Sequence, residues 1–299
     1  MSWPRIGLPR AIAELRSIVS DELPAWTEPF ASAVRQGLAR PSRMGSVSRE
    51  WALGGATGAG VRVAIIDSGV DGDHPLVRGR LVESHAVALG EEAAEVVPDP
   101  DAGDVFGHGT ACAGIIVGLA PEVELVSVRV LGADLKGKGR AFVAALEWVI
   151  EQRIGVVNLS LSSKSEQLYG VFHELADEAY FNNVTLVSAA NNVPGPSYPS
   201  LFSSVISVAA HDEPEPRRFY YNPSPPVEFG AWGVDVPVAW LGGTETLATG
   251  NSFAAPHIAG MVALLRSKHP GLTPFEVKAI LAAIADNASP AAAPGVGAG

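Results

Sequence analysis

Three residues of this chain could carry nucleophilic chemistry if folding brings them together: Asp67, His108 and Ser252. Ser252 sits in Gly250-Asn251-Ser252-Phe253-Ala254-Ala255-Pro256-His257, a small-residue turn that feeds the apolar run Ile258 to Leu265. A serine in the first turn of a buried helix is held rigidly, and the helix's free N–H groups point at whatever lies beside it. Near neutral pH its hydroxyl becomes a nucleophile only when a base takes its proton and a third group fixes that base's tautomer. His108 lies between Gly107 and Gly109, which strip bulk from around the imidazole. Asp67 closes an apolar run and precedes Ser68-Gly69, so a strand there would end in a carboxylate. Each residue also has a plainer reading, because Asp-Ser-Gly makes turns and Gly-Asn-Ser caps helices. The set of acid, base and serine is what favours acyl-transfer chemistry.

The elements needed to hold these residues are legible in the hydrophobic pattern. Val61–Ile66 is short, apolar and rich in β-branched residues, as suits a strand buried on both faces of a parallel sheet. Similar runs recur at Leu125–Val130, Gly155–Leu161, Val184–Ala189 and Val205–Ala209. Helical patterns lie between them at His108–Val117, Gly139–Arg153 and Leu168–Phe181, and another follows at Ser252–Ser267. This alternation predicts a doubly wound α/β fold whose central sheet is mostly parallel and flanked by helices, with the site beyond the carboxyl ends of the strands. Between residues 212 and 250 prolines and turn residues dominate, with Val227–Phe229 and Val236–Ala239 as short strand candidates. Thr273-Pro274-Phe275-Glu276 is a capping box that starts a last helix running to about Ile284.

Three regions follow from the pattern. Residues 1–50 read as a helical extension, with apolar spacing at Pro9–Ser20 and Thr27–Leu38; residues 51–286 form the main domain; residues 287–299 are an Ala/Pro/Gly tail expected to be disordered. The extension either packs on the surface of the main domain or lies near the cleft and limits access.

Composition narrows the partners. Net charge is −11, from 21 basic and 32 acidic residues, which argues against a nucleic-acid surface or an anionic membrane. No apolar run is long enough to span a bilayer. Arg5, Arg10, Glu14 and Arg16 interrupt what would be the apolar core of a signal peptide. The single cysteine, Cys112, allows no internal disulfide, so a cytoplasmic location is expected. Cys112 falls one turn beyond His108 and reads as a buried thiol beneath it rather than a nucleophile.

Asp67-Ser68-Gly69, His108-Gly109-Thr110-x-Cys112-Ala113-Gly114 and Gly250-x-Ser252-x-Ala254-x-Pro256-His257 together resemble the three active-site motifs of the subtilisin-like serine peptidases. The likeness covers residues 51–285 and extends to Val128-Arg129-Val130-Leu131-Gly132, Asn158-Leu159-Ser160-Leu161 and Tyr198-Pro199. The resemblance implies that Asp67 orients His108, His108 takes the Ser252 proton, and Ser252 forms an acyl-enzyme on a peptide or protein substrate. It also implies an asparagine oxyanion donor. Asn191 and Asn192 both end the Val184–Ala189 region; the family's order of small residues, glycine and donor places Asn191 on the glycine and Asn192 on the donor. Asparagine tolerates the left-handed backbone that such a glycine would need. The second donor would be the Ser252 N–H.

By the same resemblance, substrate pairs as an added strand with Ser160-Leu161-Ser162 on one side and with the edge containing Ala133 and Leu135 on the other. Asn191 would adjoin the primary specificity pocket. Ser162 and Leu135 stand where glycine is common, so the cleft is expected to be narrow, and Lys136 and Lys138 could favour acidic residues upstream of the cut. Asn251 replaces the usual threonine and could add a distant donor to the oxyanion site. Many relatives bind calcium after the histidine helix. Here Gly118-Leu119-Ala120-Pro121 removes that loop and Leu76 replaces an associated aspartate, so no metal and no cofactor is expected. Three functions are consistent with these features: a general endopeptidase, a specialised peptide-maturation enzyme that removes a leader or transfers the acyl group to an amine, and a non-catalytic peptide-binding scaffold. The sequence leaves the oligomeric state open.

Overall fold

The computed structural model describes residues 24, 26–35, 47–91, 93–99 and 103–288. Its strands are β1 (Arg62–Asp67), β2 (Leu81–Leu89), β3 (Ala94–Pro98), β4 (Glu124–Arg129), β5 (Val156–Leu159), β6 (Thr185–Ala189), β7 (Ile206–His211), β8 (Phe219–Tyr221), β9 (Phe229–Trp232), β10 (Val236–Trp240) and β11 (Thr244–Ala248). Nine of them form one sheet in the order β3-β2-β4-β1-β5-β6-β7-β9-β8, while β10 and β11 make a separate hairpin. Pairing is parallel from β2 through β9 and antiparallel only at the two edges, β2 with β3 and β8 with β9. The fold is the expected α/β architecture.

Burial explains the sequence pattern. Every residue of β5, β6 and β7 is buried, as are the last five of β1, so these strands read as largely apolar runs. Side chains alternate between two cores. Val63 and Ile65 face the layer containing the histidine helix (His108–Leu119) and the serine helix (Asn251–Lys268). Ala64 and Ile66 face the layer built by helices Gly139–Glu151 and Tyr169–Phe181. Because β1, β5 and β6 are parallel neighbours, their carboxyl ends gather Asp67, Ser160 and the Asn191-Asn192 pair along one rim of the sheet.

The expected strands appear within two residues of their sequence positions except Val227–Phe229, which shares only Phe229 with β9; β5 ends at Leu159 and leaves Ser160-Leu161-Ser162 as a rim segment outside the sheet. The strand pattern misses β2, β3, β8 and β11. β2 carries Glu83, Ser84 and His85 and is only half-buried, and β3 sits at the sheet edge, so neither shows a continuous apolar run. The capping box at Thr273 and Glu276 forms as read.

The expected helix at Thr27–Leu38 is instead a 3-10 turn at Glu28–Phe30 and one helical turn at Ser32–Arg35, separated by extended Ala31 with ψ 147°. Residues 36–38, the other expected N-terminal helix and residues 289–299 of the tail lie outside the described residues. Phe30 is fully buried against Ala190, Ala209 and Val227. A Cβ on Gly230 would sit 2.4 Å from the Phe30 ring, so a glycine is needed there. Arg35 anchors the same segment by ion pairs to Asp212 at 2.7 Å and Glu213 at 2.9 Å. Among the described residues no helix is long and apolar enough to cross a membrane.

Candidate active site

Asp67 is the last residue of β1 and is fully buried. Its two carboxylate oxygens accept from His108 Nδ1 at 2.8 and 2.9 Å, and Oδ1 also accepts the Ser68 N–H at 2.8 Å. That contact spends the Nδ1 proton of His108 and leaves Nε2 as its second nitrogen. His108 opens its helix behind Gly107, whose φ of 110° suits only glycine. The helix start lies so close to β1 that a Cβ on Gly109 would fall 2.0 Å from the Gly69 carbonyl oxygen.

A second carboxylate, not singled out from the sequence, supports this helix. Asp104 accepts from the N–H groups of Phe106, Gly107 and Thr110 and from the Thr110 and Ser68 hydroxyls. It satisfies donors that the helix start would otherwise leave open and places negative charge at the positive end of the helix. Its sequence signal is an aspartate four residues before a helix-opening histidine. Burial pulls the His108 pKa down. The charge and hydrogen bond of Asp67, with a smaller contribution from Asp104, outweigh burial and hold it above the ordinary 6.5.

Ser252 is the second residue of the serine helix, behind Gly250. Four residues on stands Pro256, which has no N–H to give the Ser252 carbonyl. The vacancy in the helical ladder is filled from outside: Ser160 Oγ donates to that carbonyl at 2.8 Å, and Cys112 Sγ approaches it at 3.7 Å. Asn158 Nδ2 donates to Ser160 Oγ at 3.0 Å and fixes the hydroxyl's direction. Burial pushes the Cys112 pKa well up, and the Asp67 charge adds to it, so the thiol stays protonated. Cys112 is therefore packing beneath the site, not a thiolate. Asp67, His108 and Cys112 have potential ligand atoms within 4.8 Å of one another, but this group is the acid–imidazole pair with the thiol below it. The ring of Phe253 covers His108 at 5.2 Å, and His257 is buried and bonds the Phe253 carbonyl at 2.9 Å.

Asn192 reaches the same region. Its Oδ1 accepts the Asn251 N–H at 2.9 Å. Its Nδ2 lies on the Gly250 face, where a Cβ at Gly250 would stand 3.5 Å from that nitrogen and 3.4 Å from Ser252 Oγ. The carboxamide nitrogen and the serine hydroxyl thus both border the space beside Gly250. Asn191 departs from expectation: it does not adopt the left-handed backbone that a glycine substitute would use. Its Nδ2 is buried with no hydrogen-bond partner among the described residues. The Asn251 side chain is fully buried, and its carboxamide bonds Ala190, Asn191 and Ala210 of the backbone.

His108 and Ser252 line one cleft of about 490 Å³, together with Ser160, Leu161, Ser162 and Leu135. Ala133 and Asn191 do not line it. Leu135 adopts φ 56° in a tight turn closed by Leu135 N–H to Gly132 O at 3.0 Å and Gly132 N–H to Lys136 O at 2.9 Å. A left-handed leucine costs about 1–2 kcal/mol, which the closed turn must offset. Lys136 and Lys138 also line the cleft, and among the described residues no carboxylate does.

At the position where the resemblance would place calcium, the donor set does not fit. Leu76 has an aliphatic side chain, its N–H is spent on His74 Nδ1 at 3.1 Å, and the histidine helix runs through Gly118 and Ala120 into Pro121 with no side-chain oxygen.

The parallel sheet, the buried acid–imidazole pair and the serine at a helix start define a subtilisin-like serine protease, a hydrolase. The sequence profile of the Subtilase family matches residues 58–299, and the chain belongs to that family. It is 31% identical to subtilisin DY of Bacillus licheniformis over 248 residues, covering 78% of this chain and 86% of that one. It is 32% identical to the thermostable alkaline protease of Halalkalibacterium halodurans over 235 residues, covering 75% of this chain and 62% of the relative, less than two thirds of its length. The crystal structure of a cold adapted subtilisin-like serine proteinase superposes with a TM-score of 0.64 at 26% identity, covering 78% of this chain and 87% of that one.

Proposed function

We propose that the chain is an endopeptidase in which Asp67, His108 and Ser252 form the catalytic triad. The observation that carries this reading is that an imidazole bonded through Nδ1 to a buried carboxylate lines the same cleft as Ser252. In this mechanism His108 Nε2 accepts the Ser252 proton as Oγ bonds to the scissile carbonyl carbon. Asp67 holds the tautomer and stabilises the imidazolium. Asn192 Nδ2 and the Ser252 N–H take the oxyanion, and His108 returns the proton to the leaving amine. Water, deprotonated by the same imidazole, then releases the acid from Ser252. No step needs a metal or cofactor. The substrate is a peptide or protein chain that pairs with Ser160-Leu161-Ser162.

Covalent labelling by a fluorophosphonate probe, lost in Ser252→Ala and Asp67→Ala or His108→Ala, is the expected result. Equal labelling of Ser252→Ala would overturn the assignment. A narrower substrate range than that of a general peptidase is supported by Leu135 and Ser162 at the cleft walls. Casein digestion separates the two: broad degradation supports the general enzyme, and labelling without degradation supports a specialised peptide-maturation enzyme.

A further inference from the structure

Asn251 stands immediately before the nucleophile, yet its side chain turns away from the reacting atoms. It is fully buried, and its Nδ2 donates to two successive carbonyls, Ala190 O at 3.1 Å and Asn191 O at 3.2 Å. Its Oδ1 accepts the Ala210 N–H of β7 at 2.9 Å. Its own peptide N–H holds Asn192 Oδ1 at 2.9 Å. One residue therefore grips the two carbonyls that precede Asn192, ties them to the neighbouring strand, and sets the rotation of the Asn192 carboxamide. Ala190 also packs in one buried cluster with Phe30. A carboxamide is suited to this job because it offers two N–H donors and an acceptor on one planar group. A threonine hydroxyl offers one donor from a position nearer the backbone.

We propose that Asn251 is a positioning residue for catalysis: its side chain clamps the Ala190–Asn192 segment to β7, so that Asn192 Nδ2 and the Ser252 N–H meet the oxyanion as one preset pair. The proposal rests on the triad and oxyanion reading above. The oxyanion exists only in the transition state, so loosening the clamp lowers kcat and leaves KM in place. Asn251 acts through Asn192, so its loss matters only while Asn192 is present.

The test is a double-mutant cycle on one peptide substrate, using the unmodified full chain, Asn192→Ala, Asn251→Ala and the pair. Rates are expressed per site titrated by a fluorophosphonate, so that unfolded protein is not counted. Asn192→Ala is expected to lose ~10²–10³ in kcat. Asn251→Ala is expected to lose about tenfold or more in kcat with KM within about twofold, because displacing a reacting group by an ångström is costly. The double variant is expected within about threefold of Asn192→Ala alone, since coupled residues are not additive. Asn251→Asp serves in place of the alanine variant if that one does not yield titratable protein. It keeps the acceptor for Ala210 but sets an oxygen against the Ala190 and Asn191 carbonyls, and the same loss is expected. Losses that multiply, a loss confined to KM, or an unchanged kcat in either Asn251 variant overturns the proposal. An unmodified chain that neither labels nor cleaves would instead remove the underlying reading.

Discussion

The Ser160 hydroxyl donates to the Ser252 carbonyl oxygen at 2.8 Å, in the place where a helical N–H would stand if residue 256 were not proline. One hydrogen bond thereby connects the backbone of Ser252, the proposed nucleophile, to the rim segment on which substrate is expected to lie. Pro256 creates the opening and Ser160 fills it. Ser160→Ala removes the strong donor and leaves Cys112 Sγ, at 3.7 Å, as the remaining contact. The expected cost is about 1–3 kcal/mol of stability, the penalty for a buried carbonyl left short of a donor. Thermal unfolding reads that cost, and a fall in kcat/KM larger than the change in titrated sites reads the loss of alignment.

In the proposed mechanism the His108 pKa sets the acid limb of activity. Protonated His108 cannot accept the Ser252 proton, so kcat/KM rises with pH and levels off beyond the His108 pKa, which lies above 6.5. Asp104→Asn removes one of the charges that raise it, and the inflection is expected to move to lower pH while Asp67 still holds the ring. For stability the sign is opposite to that of activity. A raised folded-state pKa gives stabilisation that is full below 6.5 and fades as pH rises through the raised value. A pH profile of kcat/KM for the two proteins checks the shift.

Two other histidines work in the reverse direction. Burial lowers His257 and His211 to about 4. Between about 4 and 6.5 the unfolded chain binds protons that the folded chain refuses, so stability is present above 6.5 and declines as pH falls toward 4. Chemical unfolding at a series of pH values is expected to show a slope approaching two protons, ~2.7 kcal/mol per pH unit at its steepest. His257→Asn, whose amide nitrogen stands near the Nδ1 position that bonds the Phe253 carbonyl, is expected to halve that slope.

Among the described residues, Leu76 and the run of the histidine helix into Pro121 offer no side-chain oxygen at the position where the resemblance would place calcium. A chelator is expected to leave the melting temperature unchanged. A drop of several degrees on chelation, reversed by added calcium, would place a metal elsewhere in the chain.

The sequence carried the fold well where physics is local. Strands buried on both faces are largely apolar with many β-branched residues, so β1, β4, β5, β6 and β7 could be read directly, and the capping box at Thr273 needs only residues 273 to 276. Asp67, His108 and Ser252 could be singled out because each sits at a strand end or helix start with small neighbours. The half-exposed β2 and the edge strand β3 lacked that signature. What escaped sequence reading depends on contacts across the chain. Asn251 bonds residues 190, 191 and 210, and nothing in Gly-Asn-Ser says that its carboxamide turns toward β7. The motif position of Asn191 suggests a left-handed backbone, which the residue does not adopt; its carbonyl instead accepts from Asn251 Nδ2. Phe30 looks like one apolar position of an amphipathic helix until Ala190, Ala209 and Val227 are seen to form its socket.

That socket has an evolutionary consequence. Gly230 has no side chain because Phe30 occupies the space a Cβ would need, so the two positions are locked as lid and seat. Neither can drift alone: Gly230→Ala is expected to destabilise the chain while Phe30 is present and to be tolerated with Phe30→Ala, a pattern that unfolding of the two single variants and the pair would read. The lock makes the segment from Trp26 to Arg35 a heritable part of the sheet, and a descendant that sheds it must also refill the void beside strand β9.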